Sequence, residues 1–154
     1  MKKIFMLILS FAFVFSTVSC SCKKNTQIEL VEEQYGEGKI EFLESYDKLK
    51  ELFDSKSNFV FYMYGATCSG CHKFTPVLDE YVKEKNIVVY AIEVMILKAA
   101  NPDLAKTLRY TPAVAIIEEG ELSTYICGNC DGQTESFKNK DGFGKWFESH
   151  VVIK

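Results

Sequence analysis

Apolar runs and their spacing divide most of the chain into short alternating elements. From Phe59 to Tyr64 every position is apolar or aromatic, the pattern of a strand covered on both faces, and the predicted strand spans Asn58 to Tyr64. Ile87 to Met95 predicts a second buried strand, and Ile40 to Leu43 a shorter one. Between them the apolar positions take helical spacing. Leu49, Leu52 and Phe53 predict a helix over Ser45 to Ser55, and Phe74, Leu78, Tyr81 and Val82 predict one that starts near Cys68. Asn101 as a cap and Pro102 in the first turn predict a third helix over Pro102 to Leu108. Ala113 to Ile117 and Leu122 to Ile126 flank Glu118-Glu119-Gly120-Glu121, a connection short enough for a hairpin. Phe143, Trp146, Phe147 and Val151 predict a closing helix over Gly142 to Val152. The order β-α-β-α-β-α-β-β-α predicts an α/β domain: a central mixed sheet of parallel strands plus a C-terminal antiparallel hairpin, flanked by helices.

The N-terminal stretch follows a different pattern. Lys2 and Lys3 precede an uncharged run from Ile4 to Val18, short of the roughly 20 residues of a spanning helix, with Ser19 where a small residue suits cleavage. Residues 1–19 are therefore expected to be a signal peptide. Thr17-Val18-Ser19-Cys20 resembles the cleavage box of bacterial lipoproteins, which makes Cys20 the candidate lipidation site, although Thr17 stands where that box has leucine. Residues 20–38, polar and rich in charge with Gly36 and Gly38, are expected to form a tether. The domain is then expected over residues 39–154, on the extracytoplasmic face of a bacterial membrane.

The 154 residues suffice for one core. A net charge of −3, dispersed without a basic stripe, argues against nucleic acid as a partner.

The candidate chemistry lies in two repeats of one spacing. Cys68-Ser69-Gly70-Cys71 follows a buried strand and opens a helix. A cysteine there is stabilised as thiolate by unpaired backbone N–H groups and the helix dipole, so Cys68 is the candidate nucleophile and Cys71 the resolving thiol of disulfide exchange.

The run Phe59 to Cys71 resembles the strand, loop and dithiol of the thioredoxin family. Pro76, five residues after the second cysteine, matches that family's helix proline; Thr111-Pro112 matches its cis-proline position, and Gly120 and Gly128 match its hairpin and strand-end glycines. The resemblance covers roughly Lys39 to Lys154. It implies a thioredoxin fold, thiol–disulfide oxidoreductase activity, substrate pairing at Thr111 beside Pro112, protein disulfide or dithiol substrates, and a membrane or exported partner that recycles the dithiol. No cofactor is implied beyond the redox-active disulfide. Three positions depart from the family: Thr67 replaces its tryptophan, Ser69-Gly70 its Gly-Pro, and Tyr62 the buried aspartate that takes a proton from the second cysteine. Glu93 or a water could replace that carboxylate. The resemblance also implies a reductase rather than an oxidase, since Ser69-Gly70 lacks the histidine and proline of strongly oxidising relatives.

Cys127-Gly128-Asn129-Cys130 repeats the spacing at the end of the last strand. The hairpin should bring Cys127 close to Thr111-Pro112, so that all four cysteines converge at one end of the sheet. Three readings stay open: a second redox pair, a structural disulfide, or a tetrathiolate zinc site made of Cys68, Cys71, Cys127 and Cys130. The zinc site, or a reading in which both pairs are structural disulfides, would make the protein a non-enzymatic accessory or binding protein. His72 is expected to be solvated, His150 to favour the end of the last helix, Trp146 to pack in the core, and Asp79 and Glu80 to point apart.

Overall fold

The computed structural model describes residues 27–130 and 132–154. The signal peptide, Cys20 and the first part of the expected tether lie outside the described residues.

Five strands form one sheet, and their order follows from the hydrophobic runs. The strands are β1 (Lys39–Leu43), β2 (Phe59–Tyr64), β3 (Val88–Glu93), β4 (Ala113–Glu118) and β5 (Glu121–Cys127), arranged β1-β3-β2-β4-β5. β3 pairs in parallel with β1 and β2, while β4 runs antiparallel to β2 and β5. Side-chain alternation then divides each buried run between two cores. Val60, Tyr62, Val89, Ala91, Val114 and Ile126 face α2 (Ser69–Lys85) and α5 (Lys140–Glu148), against Phe74, Leu78, Tyr81, Phe143 and Phe147. Phe59, Phe61, Met63, Tyr90, Ile92, Ala113 and Ala115 face the opposite layer. That layer is α1 (Asp47–Asp54), α3 (Val94–Ala100) and α4 (Pro102–Leu108), contributing Leu49, Leu52, Leu97, Ala105 and Leu108. Among the described residues no helix is long and apolar enough to cross a membrane.

Three boundaries differ from the sequence expectation, each for a local reason. β3 ends at Glu93 because that side chain accepts a hydrogen bond from the Met95 N–H (2.6 Å), turning the apolar stretch expected to continue the strand into α3. The last helix starts at Lys140, where the Asn139 side chain accepts from the Gly142 N–H (2.8 Å), and stops at Glu148. Val151, placed in that helix by its spacing, instead bridges in parallel to Ile28.

The third difference is the largest, because the tether does not extend to Gly38. Ile28, Leu30 and Gln34 are buried, and residues 27–38 pack onto the sheet. The main chain is held at both ends of the segment: Ile28 N–H donates to the His150 carbonyl (2.8 Å), Val31 N–H to Asn58 (2.9 Å), and Gly36 N–H to Asn86 (2.7 Å). Gln34 explains why a polar stretch docks here. β2 and β3 pair only from Phe61 and Tyr90 onward, which leaves the edges they turn toward each other unpaired at the start of both strands. The Gln34 amide fills that gap. Its Oε1 accepts from Val60 N–H (3.0 Å), and its Nε2 donates to the carbonyls of Val60 (2.8 Å) and Val88 (3.0 Å). Unpaired, each such buried group would cost about 1–3 kcal/mol. The Tyr35 hydroxyl ties the segment to the C-terminus by donating to the Val152 carbonyl (3.0 Å).

Candidate functional site

Cys68 is the N-cap of α2, the first residue before a helix of 17 residues. Its Sγ accepts a hydrogen bond from the Cys71 N–H (3.0 Å), so one of the helix's unpaired donors already points at the sulfur. Cys68 is half-buried and Cys71 is 3% exposed. The two form a disulfide with Cα atoms 5.2 Å apart, within the ordinary span of such a bridge. The preceding loop is fixed by the Cys68 N–H donating to Gly65 (3.1 Å). A Cβ at Gly65 would lie 3.5 Å from the Thr111 hydroxyl, so the loop runs close against the start of the hairpin.

The Thr111–Pro112 peptide bond is cis, and Pro112 is buried between the two cysteine motifs. A Cβ on Gly70 would come within 3.1 Å of the proline ring, and one on Gly128 within 2.8 Å. Each Cys-x-x-Cys thus contributes the glycine that lets Pro112 fit between them. Along this seam lies a groove of about 610 Å³, bounded by Thr67, Cys68 and Lys73 on one side and by Thr111, Gly128, Asn129 and Phe137 on the other. A smaller cavity of about 320 Å³ reaches Cys71 from the opposite side, between Phe42, Tyr64, His72 and Pro76.

Tyr62 occupies the core beneath Cys71. Thr75 donates its one hydroxyl proton to the Cys71 carbonyl (2.8 Å), so the contact between Thr75 and the Tyr62 hydroxyl (3.1 Å) has Tyr62 as donor. Burial pushes the Tyr62 phenol up to about 12, which keeps it a proton donor across the neutral range. It is no base for Cys71. The Glu93 carboxylate is engaged in capping α3.

The second pair is also a disulfide, with Cα atoms 5.2 Å apart. Cys127 pairs with Ala113 in the hairpin, and Gly128 N–H donates to the Pro112 carbonyl (2.8 Å), so the motif lies beside Pro112. The four cysteines share one end of the sheet, as expected, but the two pairs do not share a face. Cys71 belongs to the core under α2 and α5, whereas Cys127, fully buried, belongs with Cys130 to the core under α1, α3 and α4. The pairs share one end of the sheet but lie on its opposite faces. Among the described residues no group of three or more Cys, His, Asp or Glu side chains assembles as a ligand set, so Cys68, Cys71, Cys127 and Cys130 do not form one tetrathiolate cluster.

The lesser candidates fall elsewhere. His72 is exposed on the first turn of α2. His150 lies at the end of α5 with its Nδ1 2.8 Å from the Trp146 carbonyl, and Trp146 packs on Phe143 and Phe147. Asp79 pairs with Lys83 (2.6 Å) and Glu80 with Lys140 (2.9 Å). Sequence reasoning missed Phe137, which lines the groove, and Gln133, whose Oε1 accepts from the Cys127 N–H (3.0 Å); the signal for Phe137 was a lone Phe in a polar loop.

No family model matches this chain, and no curated protein matches its sequence. Solved structures do match in fold. A thioredoxin variant from Halobacterium salinarum aligns with a TM-score of 0.57 at 16% identity, covering 77% of this chain and 96% of that one. Thioredoxin NaTrxh from Nicotiana alata gives 0.56 at 15% identity, with coverage of 75% and 96%. A chain in the complex of ferredoxin:thioredoxin reductase with thioredoxin f2 gives 0.52 at 16%, with coverage of 73% and 94%. The protein has the thioredoxin fold.

Proposed function

We propose that the protein is an extracytoplasmic thiol–disulfide oxidoreductase that works through Cys68 and Cys71. The observation that carries this reading is the position of Cys68: half-exposed in a groove, at the N-terminus of a 17-residue helix, bonded to a buried Cys71. In the reduced form the Cys68 thiolate attacks one sulfur of a substrate disulfide, expelling the other as a thiolate. Cys71, deprotonated, then attacks the Cys68 sulfur, breaking the mixed disulfide. The substrate leaves as a dithiol with both electrons, and the protein keeps the Cys68–Cys71 disulfide. A dithiol partner, exported or membrane-bound, restores the reduced pair, as expected of a fold shared with a thioredoxin seen beside its reductase. Thr111 and Pro112, at the groove, are the residues we assign to substrate binding.

We favour the reductase direction, since Ser69-Gly70 lacks the histidine and proline of strongly oxidising relatives. We propose export by residues 1–19 and a lipid on Cys20, which would put the protein at the extracytoplasmic face of a bacterial membrane.

Trapping tests the exchange chemistry. Cys71→Ser should accumulate a mixed disulfide with a protein disulfide substrate, and Cys68→Ser should accumulate none. An adduct that persists in Cys68→Ser would sink the assignment and leave a binding or accessory role. A pair potential near −270 mV supports reduction of substrates, and one near −120 mV the reverse, on the order-of-magnitude scale set by thioredoxin and by strong oxidants. Mass spectrometry of the mature N-terminus tests the anchor, which an unmodified Cys20 would exclude.

A further inference from the structure

We propose that the Cys127–Cys130 disulfide is a positioning crosslink for the substrate groove, and that its reduction weakens substrate binding while leaving exchange at Cys68–Cys71 intact. The proposal rests on the exchange function assigned above.

The pair's side chains and its backbone face different ways. Both sulfurs belong to the core under α1, α3 and α4, with Cys127 fully buried. The two residues between them, Gly128 and Asn129, border the groove beside Cys68. A relay of the disulfide from Cys68 would need a sulfur to cross the end of the sheet, past Pro112, which packs against Gly70 and Gly128. The backbone needs no such movement to act on the groove. It is already its wall.

That wall is held at three places. Gly128 N–H donates to the Pro112 carbonyl (2.8 Å), and its lack of Cβ lets the proline ring lie against it. Gln133 closes the loop behind the disulfide: its Oε1 accepts from Cys127 N–H (3.0 Å), and its backbone N–H donates to the Cys130 carbonyl (3.2 Å). Phe137 returns the chain to the groove and stacks edge-to-face on Phe74 of α2, ring centroids 4.6 Å apart. Among the described residues from Cys127 to Gln133 the disulfide is the one covalent crosslink, beside three hydrogen bonds, one of them the turn from Cys130 N–H to the Cys127 carbonyl (3.1 Å). Opening the bridge frees Cys130 from the core and with it the anchor of Asn129. The opening takes two electrons and two protons from an external dithiol, which leaves as its own disulfide. A bridge closing so short a loop constrains the unfolded chain little, so its effect falls on local order.

The test is a comparison of wild type, Cys130→Ser and the double variant Cys127→Ala/Cys130→Ala, using a peptide disulfide as substrate and dithiothreitol as reductant. The expected result is a rise in KM of about 10-fold with kcat within about twofold, and an unchanged Cys68–Cys71 equilibrium with dithiothreitol. An unchanged KM overturns the proposal, including in a variant whose melting point has fallen. Should the double variant fail to fold, mapping decides on wild type alone: fully reduced protein receives one equivalent of substrate disulfide, and peptide mass spectrometry locates the bridge. A bridge confined to Cys68–Cys71 supports positioning. One that appears at Cys127–Cys130 within a turnover establishes a relay and overturns it. Wild type that exchanges nothing defeats the underlying function instead, so the two failures are distinct.

Discussion

The chain contains the same four-residue spacing twice, and the two copies occupy opposite environments. Cys68-x-x-Cys71 begins a helix, with one sulfur at a groove and the other accepting the core's shelter. Cys127-x-x-Cys130 ends a strand, with its first sulfur fully buried in the core of the other face. Identical spacing therefore gives bridges with identical Cα separations of 5.2 Å and different access to solvent and to donors. Reactivity belongs to the element that carries the motif rather than to the motif. A helix N-terminus offers N–H groups to a thiolate; at this strand end the N–H groups of Cys127, Gly128 and Cys130 are already taken by Gln133, Pro112 and Cys127.

The contrast can be broken most directly by turnover. Cys68→Ser should lower disulfide turnover on the order of 1,000-fold or more, whereas Cys130→Ser should cost about 10-fold at subsaturating substrate, read as kcat/KM. Equal losses would erase the distinction. Reduction kinetics sharpen it next: under native conditions dithiothreitol should open Cys68–Cys71 about 100-fold faster than Cys127–Cys130, followed by quenched alkylation and mass spectrometry.

A smaller effect concerns the floor beneath Cys71. The Tyr62 phenol titrates near 12 in the folded chain and near 10 when exposed, so its contribution to stability is present below pH 10 and is lost as pH rises from 10 to 12. Across that window wild type should lose up to about 2–3 kcal/mol more than Tyr62→Phe, measured by urea unfolding. Parallel curves would show that this hydroxyl is not held as described. The smallest difference tests the shared proline. Gly128→Ala should cost about 1–2 kcal/mol, because its Cβ would meet the Pro112 ring at 2.8 Å. Gly70→Ala should be near neutral, since a 3.1 Å contact is offset by alanine's helix propensity of roughly 0.8–1.0 kcal/mol over glycine. Chemical denaturation of the two variants side by side gives the ranking.

Much of this was legible in the residues. The apolar runs of β2 and the hairpin, the helical spacing of Phe74, Leu78 and Tyr81, and the placement of Cys68 at a helix start all follow from periodicity and match the structure. The proximity of Cys127 to Pro112 followed from hairpin geometry. Its face also lay in the sequence, because Ile126 and Cys127 must point to opposite sides of β5, but adjacency in a plane is easier to infer than parity across it. Two features were hidden for another reason. α3 depends on one carboxylate, Glu93, folding back on its own backbone, and the docked segment 27–38 depends on one amide, Gln34, completing two strands far along the chain. Neither leaves a periodic trace, since a single polar side chain decides each.

The docked segment also sets how the molecule would be mounted. It meets β2 at Asn58, where the strand begins, while Cys68 follows the strand's other end. Gln27, next to Ile28 whose N–H bonds the His150 carbonyl, would then be the point of attachment, on a segment that meets β2 at the end away from the reactive disulfide. Only residues 21–26 separate it from Cys20, a leash of about 20 Å at full extension. With the lipid proposed on Cys20, the domain would stand close to the bilayer with its groove turned outward. Partners dissolved in the surrounding space would then meet Cys68 head-on, while a recycling partner embedded in the same bilayer would have to reach around the whole domain.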